Sequence, residues 1–139
     1  MKWITLNSQV FKNFNQTRTS LFAPANGVIP QMALLRKAFF LQTLPQALIA
    51  KFTGDCKFRL FINGEFVTDG PVEFGGDYGL KAPHNWWFIA TQDVTKYFSE
   101  GENVICFELL NYPEAMTDFS KGQPGVAFEL YAGERLILS

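Results

Sequence analysis

After residue 32, apolar and polar residues alternate in short runs closed by Gly, Pro and Asn. Residues 57–62 give the clearest case. Phe58, Leu60 and Ile62 fall on one face and Arg59 and Phe61 on the other, the period of two of a half-buried strand. Asn63-Gly64 follows, then Glu65-Phe66-Val67. Because Asn-Gly readily takes the two positive φ angles of a type I′ turn, this segment predicts a β-hairpin. Residues 33–42, 46–52, 86–90, 103–110, 126–131 and 135–138 are further predicted strands, the last two closing around Gly133. Residues 93–98 predict one helical turn, N-capped by Asp93 and ended near Gly101. At least seven strands result. No long stretch carries an apolar stripe at 3.6-residue spacing, and neither heptads nor internal repeats occur, so helical, α/β and solenoid folds drop out. An antiparallel β-sandwich or jelly roll, all-β, remains.

Three segments lie outside this alternation. Residues 1–30 are rich in Asn, Gln, Thr and Pro and read as an irregular lead-in. Between Thr68 and Asn85 come Gly70, Pro71, Gly75, Gly76, Gly79 and Pro83, which predicts a long surface connection, and residues 112–124 read as a second polar loop. Long loops are where a sandwich keeps its binding groups.

The length of 139 residues suits a single domain with one core, and the 47% hydrophobic content with fifteen Phe makes that core aromatic. Twelve basic and thirteen acidic residues are spread evenly, for a net charge of −1, so no footprint for nucleic acid or anionic lipid is present. The first residues lack the apolar run of a signal peptide, and no window reaches the length of a membrane span. The reading is a soluble domain with its compartment left open. Cys56 and Cys106 each sit in an apolar strand-like run, away from any CxxC or Cys/His cluster; the expectation is two free thiols acting as small buried hydrophobes, and no zinc.

Catalytic chemistry is scarce. His84 is the one histidine, and nothing near it resembles a nucleophile elbow. Thirteen acidic residues always offer some carboxylate pair, so a glycosidase cannot be read from their number. Glu108 and Glu129 fall in strands, at positions expected to face solvent. Asp69, Glu73 and Asp77 fall in loops, where turn formation and calcium ligation use the same residue types; no cofactor or metal is predicted. The more pointed constellation is Asp77-Tyr78 with His84-Asn85-Trp86-Trp87. Aromatic rings stack on the apolar faces of sugars while Asp, Asn and His hydrogen-bond hydroxyls, and strand alternation turns at least one of the two tryptophans inward. Asp77, Tyr78, His84 and Trp86 are the candidate carbohydrate-binding platform.

Three sequence features together resemble the N-terminal accessory domain of bacterial α-L-rhamnosidases and related large glycoside hydrolases. Leu35-Arg36-Lys37-Ala38-Phe39 resembles that family's opening strand. Residues 58–67 followed by Asp69-Gly70-Pro71 resemble its "lyvNGefV..GP" hairpin, and residues 93–105 its "DVTxyLxxGeNvI" turn and strand. The likeness runs from about Leu35 to Leu110. It implies a galactose-binding-like β-sandwich without catalytic machinery of its own, since in that family hydrolysis belongs to a separate helical-barrel domain. The partner it implies is a glycan or that catalytic domain; a protein-interaction sandwich docking on another domain or subunit is the alternative. The motif residues also have purely physical roles: Asn63-Gly64 makes a turn, Asp93 caps, and Gly101 with Asn103 starts a strand.

Overall fold

In a computed structural model, which describes residues 1–5, 31–54, 57–70, 88–111 and 125–139, Phe58, Leu60 and Ile62 are buried while Lys57 and Arg59 are exposed, as their alternation requires. The hairpin forms as expected. Strand β4 (Lys57–Ile62) pairs antiparallel with β5 (Glu65–Gly70), and the two turn residues have φ of 52° at Asn63 and 85° at Gly64. A register shift between Leu60 and Phe61 sets Phe61 opposite Phe66 and gives Val67 its buried place.

The remaining strands are β1 (Trp3–Thr5), β2 (Gln31–Leu41), β3 (Ile49–Gly54), β6 (Ala90–Asp93), β7 (Gly101–Asn111), β8 (Gly125–Ala132) and β9 (Arg135–Leu138). They make two sheets, both antiparallel throughout. One runs β1-β8-β3-β6, with β9 paired to β8; the other runs β2-β7-β4-β5. The chain is an all-β sandwich.

The core lies between the sheets and is aromatic, as the composition implies. Phe52 from one sheet meets Phe58 from the other edge to face at 6.0 Å between ring centres. Phe58 meets Phe107 at 5.7 Å, and Phe107 meets Phe128, back in the first sheet, at 5.8 Å. Edge-to-face contact sets the positive rim of one ring against the negative face of the next, so this chain of four rings binds the two layers together beyond its buried area. Gly70 is part of the same packing. A Cβ there would overlap the Phe58 ring, so the glycine in the Asp69-Gly70-Pro71 motif is required by the neighbouring ring.

Three local expectations need correction. The lead-in contains a strand, β1, that pairs with β8; three residues are too few for periodicity to register. The strand expected at 86–90 begins at Ala90 and runs to Asp93, because its ladder with β3 starts where Ala90 faces Phe52. Phe88 and Ile89 precede it as exposed side chains. The helical turn is a 3₁₀ turn over Thr95–Tyr97 with Val94, not Asp93, in the cap position, and it gives way to extended backbone at Phe98, three residues before Gly101. Asp93 still satisfies its start: its Oδ1 accepts from the Thr95 backbone N–H (2.9 Å) and the Thr95 hydroxyl (2.6 Å). These two bonds hold the Asp93 carboxyl below the usual carboxylate range.

Candidate interaction surface

Asp77, Tyr78, His84 and Trp86, the platform read from the sequence, lie outside the described residues, as do Glu73, Asn85, Trp87 and Cys56. Among the described residues no group of three or more His, Cys, Asp or Glu side chains is placed to hold a metal ion, and no helix is long and apolar enough to cross a membrane.

The strongest surface feature is the outer face of the β2-β7-β4-β5 sheet. Cross-strand register places its residues in rungs: Met32-Leu110-Lys57, then Leu34-Glu108-Arg59-Asp69, then Arg36-Cys106-Phe61-Phe66, then Ala38-Val104, and last Phe40-Glu102. Met32 is 72% exposed, Leu34 and Phe40 are each 69% exposed, and Phe66 is 53% exposed. Phe66 packs edge to face on Phe61 at 5.8 Å, which fixes both rings on the surface. Charged groups lie between the apolar ones, with Arg59 3.8 Å from Glu108. A half-solvated antiparallel sheet ordinarily alternates apolar-in with polar-out. Here β2 carries large apolar side chains, Met32, Leu34 and Phe40, on its outer face as well.

Cys106 sits in the middle rung of this face. The sequence reading makes it a buried hydrophobe; instead it is half-buried and outward, because alternation gives the inward places of β7 to Asn103, Ile105, Phe107 and Leu109. Its thiol is free. Burial first, and then the charge of Glu108, push the thiol pKa up, partly opposed by Arg36. It is therefore a thiol rather than a reactive thiolate at neutral pH.

The outer face of the other sheet behaves differently. Glu129, expected to face solvent, is only 8% exposed. Its Oε1 pairs with the Met1 ammonium at 2.6 Å and its Oε2 accepts from the Tyr131 hydroxyl at 2.7 Å. The bond from the ammonium and then that from Tyr131 lower the Glu129 pKa, while donating to the carboxylate raises that of Tyr131. Lys51 completes the group, its Nζ 5.1 Å from the centre of the Tyr131 ring. Each charge in this cluster has a partner, so it reads as structure.

The motif asparagines form a third cluster. Asn103 is fully buried; its Oδ1 accepts from Ser99 N–H (3.0 Å), and its Nδ2 donates to the carbonyls of Ser99 (2.7 Å) and Gly101 (3.1 Å). Asn63 reaches across from the hairpin: its Nδ2 donates to Asn103 Oδ1 (2.8 Å) and to the Tyr97 carbonyl (2.9 Å), and its Oδ1 accepts from Val104 N–H (2.8 Å). The hairpin motif and the turn-and-strand motif, forty residues apart, are thus two halves of one lock. Neither half reveals the other in sequence, since the bond is long-range.

No family model matches the sequence, and no curated protein does. Solved structures do. A GH78 family rhamnosidase of Bacillus sp. GL1 superposes with a TM-score of 0.65 at 22% identity, over 77% of this chain and 11% of that one. An α-L-rhamnosidase from Dictyoglumus thermophilum gives 0.51 at 25% identity, over 77% and 12%. The α-L-rhamnosidase from Aspergillus terreus gives 0.52 at 19% identity, over 77% and 13%. The chain has the fold of a domain of GH78 α-L-rhamnosidases. It spans about an eighth of the length of those enzymes, so the likeness concerns one domain-sized part of them.

Proposed function

We propose that this chain is a non-catalytic accessory module, a galactose-binding-like sandwich of an α-L-rhamnosidase-like glycoside hydrolase, and that it works by buttressing the catalytic domain. One observation carries this: the apolar outer face of the β2-β7-β4-β5 sheet, with Met32, Leu34, Phe40 and Phe66 in the open. Its interleaved Arg36, Arg59, Glu102 and Glu108 suit an interface between domains, which is more polar than an obligate one. Neighbours of the same fold that are parts of chains several times longer support the choice of occupant.

The test is side-chain footprinting of the isolated chain and of the same chain within its parent polypeptide. Protection of Met32, Leu34, Phe40 and Phe66 in the parent is expected. Equal labelling in both would remove the buttress, and protection that rises with the concentration of the isolated chain would assign the face to a second copy.

Glycan binding at Asp77, Tyr78, His84 and Trp86 is the second reading. It is favoured by the exposed apolar pair Phe88 and Ile89, which extends the Trp86-Trp87 run to the edge strand β6. An NMR titration with L-rhamnose, galactose and a plant polysaccharide digest, following the indole signals, tests it. Saturable shifts at Trp86 lost in Trp86→Ala are expected; unchanged affinity in that variant discards the platform.

A further inference from the structure

Asn-Gly is the dipeptide most prone to lose ammonia, because glycine leaves its own backbone nitrogen unshielded. In that reaction the Gly nitrogen attacks the Asn side-chain carbonyl carbon and a C–N bond forms. The bond to Nδ2 breaks and ammonia leaves; water then opens the cyclic imide to aspartate or isoaspartate. Asn63 is an exposed residue at a turn tip with Gly64 following, the setting in which this proceeds.

We propose that Asn63 is a deamidation site held shut by the Asn63–Asn103 lock, so that its modification records opening of the corner where the hairpin meets β7. For attack, the Asn63 amide must turn to Gly64 N. In the folded chain its Oδ1 is held by Val104 N–H and its Nδ2 by the Tyr97 carbonyl and Asn103 Oδ1. The backbone is pinned as well, by Asn63 N–H donating to the Val104 carbonyl at 2.8 Å. Three side-chain hydrogen bonds at their usual net worth suppress the reactive rotamer by about 100-fold. The product cannot return to the lock. A carboxylate in place of the Asn63 amide would set a second acceptor against the Tyr97 carbonyl and Asn103 Oδ1 where Nδ2 donated, and isoaspartate would lengthen the turn backbone and spoil the register of β4 with β5. The modification is thereby a one-way record of opening.

The chain carries its own reference in Asn26-Gly27. Incubation in mildly alkaline buffer, followed by peptide mapping, reads both sites. In urea-unfolded chain the two should react at similar rates. In folded chain Asn63 should react about 100-fold more slowly than in urea, and faster as sub-denaturing urea is added. Asn103→Ala, if folded by circular dichroism, removes one of the three bonds and should recover about fivefold of that suppression; if it does not fold, the urea series alone decides. Folded wild-type chain deamidating at Asn63 as fast as unfolded chain overturns the proposal, as does a folded Asn103→Ala as well protected as wild type.

Discussion

Leu34 and Leu35 are adjacent, identical in type and opposite in fate. Leu35 packs against the core while Leu34 stands in solvent. The same contrast holds across the β2-β7-β4-β5 sheet, whose inner face closes on the other sheet and whose outer face leaves Met32, Leu34, Phe40 and Phe66 more than half exposed. The difference teaches that apolar content alone does not mark a core. A partner layer does, and among the described residues the outer face carries exposed apolar side chains without one.

The comparison can be broken first at the inner face. Phe107→Ala removes the ring that touches both Phe58 and Phe128, and should cost about 3–5 kcal/mol in urea unfolding. A loss below about 1 kcal/mol would mean that the four-ring chain is not what joins the layers. Next comes Gly70→Ala, which drives a methyl into the Phe58 ring; the same measurement should register about 1–3 kcal/mol from overpacking.

A smaller, pH-dependent effect separates the outer faces of the two sheets. Glu129 has its folded pKa lowered, by the Met1 ammonium and Tyr131, from an ordinary value of 4.5. A depressed carboxyl stabilises the fold above its unfolded pKa and loses that contribution as pH falls through the folded value. The contribution of Glu129 should therefore be full above about pH 5, and stability should drop below 4.5 by more in wild type than in Glu129→Gln. Denaturant midpoints across that range check it; parallel profiles would leave the ion pair without energetic weight.

The smallest effect is expected at the outer face. Met32→Ser, Leu34→Ser and Phe40→Ser should each shift the stability of the isolated chain by no more than about 0.5 kcal/mol. If their combination cost several times that, the face would belong to the fold and not to a partner.

Much of this architecture is legible in the sequence because it is local. Alternation identifies β4, apolar strand-like runs mark β7 and β8, and Asn63-Gly64 announces its own turn. What escapes depends on distance. β1 is a strand only because β8 lies beside it, and Glu129 finds its ammonium partner at the far end of the chain, in Met1. The same holds for Gly70, whose requirement is a ring twelve residues away. Of the surface, the excess of apolar residues on β2 is visible in the sequence, but which side is already covered is not. The platform at Asp77, Tyr78, His84 and Trp86 rests on residue chemistry alone.

Lys37 has a part that stability measurements will hardly register. It shares the core side of β2 with Leu35 and Phe39, opposite Ile105, yet is exposed, at an edge of the sheet. A strange chain arriving to extend the sheet at this point would have to cover that ammonium.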